Sequence, residues 1–413
     1  MGVINQDELD AIGGDRVARA LTRRVQAVAT RSGMIGGTGP GATSFTDGTA
    51  TSATYRVMHQ VRADASAQDL VVRYANYRAE LLFNSTSGEV DGPNPITIKA
   101  AIEYRGKVYP LRFYGQRSIT IAPGCHVDSD ALGVDLIAGE TFYERVYVSV
   151  AAGQKWPVGF DRNAIVDDQC NINNGGADVV DALGTFTSSG SIRMFGAIGL
   201  WGTTSVLGSS SALIVGDSIT AGVGDTNGMN GCNGYVKRAI GNSIGWIEHT
   251  RSGYQLRFWD DQYAGVQGGH VRGITLSRGA NSVIFALGTN DVHANAWNQG
   301  LAQAQEFYTR AWKQLRNRGL KVFQTTITPQ STTTDGWVTT ANQTASPYNG
   351  IRSQINDWIR TTPDGLAGYF EIADVVETAR NSGIWRAGDT TDGTHPILAA
   401  HLRMAAAIDV SRL

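Results

Sequence analysis

A change of hydrophobic period partway along the chain constrains its fold more than any other feature. From about Thr54 to Val158, apolar and polar residues alternate, as in Ile96-Thr97-Ile98-Lys99-Ala100-Ala101-Ile102 and Phe142-Tyr143-Glu144-Arg145-Val146-Tyr147-Val148. Successive side chains of a strand point to opposite faces, so such runs predict half-buried strands. Turn formers separate them, including Asp91-Gly92-Pro93-Asn94-Pro95, Arg105-Gly106 and Pro123-Gly124. Many short strands with no helical pattern between them predict a jelly-roll-like sandwich. After Ser211 the pattern is different. Apolar runs at 212–215, 246–249, 283–287, 322–327 and 369–372 alternate with helical periods at 235–240, 297–318, 348–360 and 397–408. Buried strands alternating with amphipathic helices predict a parallel sheet covered on both faces, an α/β domain of three layers.

These patterns divide the chain into an N-terminal helix and Gly-rich arm (1–52), an all-β accessory sandwich (53–205) and the α/β domain (206–413). In the arm, Asp15 can cap a helix over 15–30, with Val17, Leu21, Val25 and Val28 at helical spacing. A Gly/Thr/Ser-rich stretch follows to about Ser52. Residues 160–210 are rich in Gly, Asn and Ser and read as a bridge between the halves, with one further strand near Ile192-Arg193-Met194-Phe195.

Composition removes several classes of function. A formal net charge of -2 gives no electrostatic footing for nucleic acid or an anionic membrane surface. No apolar run approaches the roughly 20 residues of a membrane-spanning helix. The N-terminal run Met1-Gly2-Val3-Ile4-Asn5-Gln6-Asp7-Glu8 lacks the apolar core of a secretion signal, and the cellular location stays open. Cys125, Cys170 and Cys232 are too few for a disulfide framework and form no C-x-x-C metal pair. One disulfide with a free thiol is compatible with the count, but three small apolar residues is the preferred reading.

In parallel α/β sheets reactive groups sit beyond the carboxyl ends of the strands. There the first run ends in Gly216-Asp217-Ser218-Ile219, where a turn can expose a hydroxyl, and the third ends in Gly288-Thr289-Asn290-Asp291, presenting an amide. Near the C-terminus Asp392-Gly393-Thr394-His395-Pro396 sets a carboxylate and an imidazole three residues apart, close enough to meet across one turn.

In this order, the three motifs resemble blocks of the GDSL/SGNH hydrolase family, over about half the chain. The resemblance implies a flavodoxin-like three-layer SGNH domain in 206–413. It also implies serine esterase chemistry with Ser218 as nucleophile, His395 as base and Asp392 orienting it. The implied oxyanion donors are the backbone N–H groups of Ser218 and Gly253 and the side-chain amide of Asn290. Gly253 fits the remaining block, although Arg251 stands where members often carry Asn. No organic cofactor or metal is implied.

Each motif alone has a plainer reading as a strand exit, a loop or a capped turn with a surface histidine. Their joint order favours the site. His249, His270, His293 and His401 default to structural or surface roles, with His293 near enough to Asn290 to line a pocket. Asp217 and Asp291 read as turn stabilisers bonding nearby N–H groups. Trp297, Trp337 and Trp385 are candidates for a substrate face, with core the commoner fate. The expected substrate is a short acyl ester on a carbohydrate, because a β-sandwich precedes the hydrolase, no long apolar lid is evident and the loop 328–346 is polar. A lipolytic or general short-chain esterase is the alternative. A glycan-binding or assembly protein of a virion or other particle, active or not, is a third reading, in which residues 1–50 serve attachment or homo-oligomer formation.

Overall fold

The structure is a computed structural model that describes residues 25–27, 44–79, 89–159, 169–173, 178–187, 194–206, 208–226, 233–259 and 277–413. The arm outside 25–27 and 44–52, the strand at Ile192–Arg193, the bridge at 160–168 and His270 lie outside the described residues.

Two large antiparallel sheets, with two small two-stranded ones beside them, build the first half among the described residues. One contains β1 (Val25–Ala27), β3 (Ala67–Ala75), β7 (His126–Asp128) and β10 (Gly199–Thr204), in the order β1-β10-β3-β7. The other contains β2 (Ser52–Gln60), β4 (Ile96–Tyr104), β5 (Lys107–Pro110), β8 (Thr141–Ser149) and β9 (Gln169–Asn173), in the order β9-β2-β8-β4-β5, and β6 (Ile119–Ile121) also pairs with β4. Alternate residues of the long strands, among them Tyr55, Val57, Leu70, Val72, Tyr74, Ile98, Ala100, Ile102, Val146 and Val148, form a single core. Fully burying a Val, Leu or Ile side chain contributes about 1.5–3 kcal/mol, which is what makes the alternating register specific.

Three expectations need correction. Val25–Ala27 is not helical but an edge strand paired with Trp201–Thr203. The stretch read as a bridge supplies β9, which pairs with β2, and β10, which lies inside the smaller sheet. Met194 and Phe195 are buried in the core without being part of a strand. β9 and β10 are set by ladder pairing, which a Gly- and Asn-rich sequence does not announce.

The second half is a five-stranded parallel sheet of β11 (Ser211–Gly216), β12 (Gly245–Thr250), β13 (Ser282–Ala286), β14 (Lys321–Thr325) and β17 (Gly368–Phe370). Its order is β12-β11-β13-β14-β17. The central strands are apolar on both faces, as parallel sheets require. Leu213, Val215, Val283 and Phe285 enter one core with Tyr308, Trp312 and Leu315, which line one side of α4 (Leu301–Arg316). Ala212, Ile214 and Ile284 enter the opposite core with Val236 of α2 (Tyr235–Ile240) and Met404 of α6 (Leu398–Ala406). The remaining helices are α1 (Ser218–Ala221), α3 (Thr289–His293) and α5 (Asn349–Arg360). A hairpin of β15 (Ser331–Thr333) and β16 (Gln343–Ala345) rises from the loop after β14. None of the helices among the described residues is long and apolar enough to cross a membrane.

The two halves share buried surface. Trp201, Ile198 and Tyr77 of the sandwich belong to the same apolar cluster as Leu213 and Val283. The fully buried Arg62 donates to Ser211 Oγ at 2.8 Å and also to Ser210 O. Asp128 accepts from Arg73 at 2.6 Å and from Arg278 at 2.9 Å, linking the smaller sheet to the α/β half.

Candidate active site

The strand order places the chemistry. The chain leaves β11 toward β12 on one side and then reaches β13 on the other, so the β11 and β13 ends border the crevice where connections diverge. Ser218 follows β11 and Asn290 follows β13. Asp217 caps α1, with its Oδ1 accepting from Ile219 N at 3.0 Å. This is the turn-stabilising role expected of it, and it sets Ser218 as the first residue of the helix. The first N–H groups of a helix have no intrahelical acceptor.

His395 arrives from the C-terminal loop, 177 residues away in sequence. Its Nε2 lies 2.9 Å from Ser218 Oγ and its Nδ1 2.6 Å from Asp392 Oδ2. An ionised carboxylate only accepts, so Nδ1 carries the proton and Nε2 is free to accept from the serine hydroxyl. The other Asp392 oxygen accepts from Thr394 N at 2.9 Å and His395 N at 2.7 Å, which locks the turn. Partial burial favours the neutral Asp392 acid, but the hydrogen bonds from His395 and Thr394 outweigh it and hold this carboxyl below its ordinary value. Gly393 has φ +80°, and a Cβ there would lie 2.0 Å from Ser331 O. The β15 hairpin therefore packs directly on the turn, and Ser331 N donates to Gly393 O at 3.1 Å.

Gly253 follows β12 in the left-handed region at φ +77°, which favours glycine. Asn290 is 8% exposed, and its Nδ2 lies 3.1 Å from Tyr254 O and 3.4 Å from Asp217 Oδ2. The amide thus stands between the loop of Gly253 and the cap of Ser218. Burial pushes the Asp217 carboxyl up to about 6, opposed by its hydrogen bond from Ile219 and by the nearby His395.

The remaining candidates separate clearly. His249 is buried, and burial together with Arg251 pushes its pKa down to about 3. His401 is buried with Nε2 3.2 Å from Val223 O, and His293 is exposed at the end of α3. Trp297 and Trp385 are core residues, whereas Trp337 is half-buried and its ring packs on Gly393. Cys125 is a free, exposed thiol, and the side chains of Cys170 and Cys232 lie outside the described residues. Asp291 departs from its expected part. It bonds no nearby turn but the N–H groups of Leu256 and Arg257, 35 and 34 residues upstream. Nothing in the local sequence signals that reach.

Comparison with known proteins agrees with the C-terminal motifs. The profile of the GDSL-like lipase/acylhydrolase family matches residues 214–403. Similar solved structures include a GDSL-like lipase from Bacteroides thetaiotaomicron, at 17% identity and TM-score 0.32, covering 49% of this chain and 87% of that one. A carbohydrate acetylesterase family member from Sinorhizobium meliloti has 15% identity and TM-score 0.34, covering 48% and 94%. A variant of an acetyl xylan esterase from Geobacillus stearothermophilus has 16% identity and TM-score 0.35, covering 48% and 92%. No curated protein matches the chain. Residues 214–403 thus form a domain of the GDSL-like lipase/acylhydrolase family.

Proposed function

We propose that this protein hydrolyses carboxylic esters through an acyl-enzyme on Ser218, and that its substrates carry short acyl groups on a carbohydrate. The observation carrying the reading is the continuous relay from Ser218 Oγ to His395 Nε2 (2.9 Å) and from His395 Nδ1 to Asp392 (2.6 Å). A neutral hydroxyl is a weak nucleophile, and a base held in one tautomer by a carboxylate activates it. Ser218 Oγ attacks the carbonyl carbon while Nε2 takes its proton. The tetrahedral oxyanion is met by the N–H groups of Ser218 and Gly253 and by the Asn290 amide. When the intermediate collapses, the C–O bond to the alcohol breaks and that oxygen takes the proton from Nε2. Water then repeats the sequence on the acyl-serine and releases the acid.

Two features support a carbohydrate ester. Trp337 is half-buried against the Asp392–His395 turn, and the adjoining segment carries Thr332, Thr333, Thr334, Thr339 and Thr340. An aromatic ring beside a polar, open rim suits the apolar face of a sugar. We read the preceding sandwich as a jelly-roll-like accessory domain to this activity. The test is a series of p-nitrophenyl esters from acetyl to decanoyl, run beside acetate release from acetylated polysaccharide, with Ser218→Ala as control. Serine-dependent acetate release and a collapse of activity beyond butyryl are expected. A preference for long chains would replace the carbohydrate reading with a lipolytic one, and turnover surviving in Ser218→Ala would end the serine mechanism.

A further inference from the structure

Asn290 and Asp291 are neighbours on α3, yet their side chains hold two different parts of one loop. Asn290 Nδ2 donates to Tyr254 O at 3.1 Å. Asp291, fully buried, accepts from Leu256 N on Oδ2 at 2.7 Å and from Arg257 N on Oδ1 at 3.0 Å. These are the opening N–H groups of the 3-10 turn Leu256–Phe258, which begins three residues after Gly253. Such groups have no acceptor within their own turn, and a carboxylate spanning two of them is a two-point clamp.

The segment between is short and packed. Tyr254 N returns to Arg251 O at 3.3 Å, the Arg251 guanidinium lies 4.2 Å from the centre of the Tyr254 ring, and that ring stacks on Trp259. Gly253 and Leu256 lie three residues apart on this packed segment, so holding Leu256 restrains where Gly253 can sit. Burial pushes the Asp291 carboxyl up to about 7 against its two backbone hydrogen bonds. An amide of the same shape has a single accepting oxygen, whereas the ionised carboxylate accepts on both.

We propose that Asp291 is a positioning residue for ester hydrolysis, its carboxylate fixing the loop of Gly253 at the spacing from Asn290 that a shared oxyanion needs, without touching substrate. This rests on the serine-esterase reading above. The isosteric variant Asp291→Asn turns one acceptor into a donor facing an N–H group. It loosens the clamp while preserving volume.

The experiment measures kcat and KM on p-nitrophenyl acetate per active site, titrated by the p-nitrophenol burst, for wild type, Asp291→Asn, Asn290→Ala and the double variant. Misplacement of a catalytic group by about 1 Å costs up to ~10²-fold, so Asp291→Asn is expected to lose about 10- to 100-fold in kcat with KM within about twofold. In the Asn290→Ala background the same change should cost less than about threefold, because the paired donors act as a unit. A purely structural role predicts fewer active sites with normal kcat, or equal losses in both backgrounds, and either result overturns the proposal. Should Asp291→Asn fold poorly, Asp291→Ser, which can accept from one N–H, is read in the same way. Absence of Ser218-dependent turnover in wild type would instead remove the esterase reading on which the proposal stands.

Discussion

The sandwich core and the surroundings of Ser218 and Asn290 both bury ionisable side chains, but they neutralise them differently. In the sandwich, buried charges meet opposite charges. Arg56 and Arg145 sit directly across the β2–β8 ladder from each other, and Glu103 on β4 takes a hydrogen bond from each, at 2.8 Å from Arg56 and 2.7 Å from Arg145. On the core side His59 and Glu144 pair at 3.2 Å, and Glu144 also accepts from Ala197 N. The α/β domain also pairs charges away from the site, Lys237 with Glu248 at 2.8 Å and Arg352 with Glu377 at 2.6 Å, but buried Asp217 and Asp291 make no ion pair among the described residues and take backbone N–H groups instead. Ion pairs there would hold the frame equally well. Fixed N–H dipoles next to Ser218 leave the site's charge for the reaction, at a cost in stability that the rest of the fold carries.

Replacing the proposed nucleophile should produce the largest effect. Ser218→Ala is expected to lose about 10⁴-fold or more in ester turnover with an unchanged melting temperature, read by steady-state kinetics beside calorimetry. In the sandwich the opposite separation is expected. Glu103→Ala leaves two buried guanidinium groups without an anion and should cost about 3–5 kcal/mol in urea unfolding, with kcat per folded molecule unchanged. A loss of kcat there would show that the two halves are not separable in this way.

The sharpest form of the comparison is the sign of the pH dependence. Burial pushes the Asp291 carboxyl up to about 7 from an ordinary 3.8. The folded state therefore holds its proton more tightly than the unfolded state, and this group's contribution is full below pH 3.8 and lost as pH rises through about 7. Glu103 has the reverse sign. Burial raises its carboxyl, but hydrogen bonds from Arg56 and Arg145 outweigh that and bring it below 4.5. Its contribution is present above pH 4.5 and lost on acidification through its lowered folded value. Relative to wild type, Asp291→Asn should thus gain stability between pH 4 and 8 (about the span of these titrations). Glu103→Gln should lose stability from the acid side upward. Melting temperatures from about pH 2 to 8, a range that includes the acid side where Glu103 titrates, decide the matter, and parallel curves would abolish the contrast. The smallest expected effect is that of Trp337→Ala. A stacking contact of about 1 kcal/mol should raise KM for acetylated polysaccharide about fivefold while leaving p-nitrophenyl acetate unaffected.

Local periodicity carried much of the architecture. The helix expected at 235–240 is found as Tyr235–Ile240, and the five apolar runs each overlap a strand of the parallel sheet. Elements without local signal escaped. Val25–Ala27 carries residues compatible with a helix, and only pairing with β10 makes it a strand. Gln169–Asn173, rich in Asn, is a strand because β2 offers it a ladder. Asp291 looked like a turn residue because its partners lie on a loop brought alongside by sheet order rather than by sequence.

The sequence by itself determined which reactive groups this protein has and on which strand exits they stand, because short motifs and hydrophobic period are properties of a few consecutive residues. Only the tertiary structure decided that Ser218 and His395, 177 residues apart, meet at 2.9 Å. It also decided that one carboxylate joins the Asn290 helix to the Gly253 loop. Those contacts depend on the order in which parallel strands are laid side by side, and that order is set by the burial of both sheet faces at once.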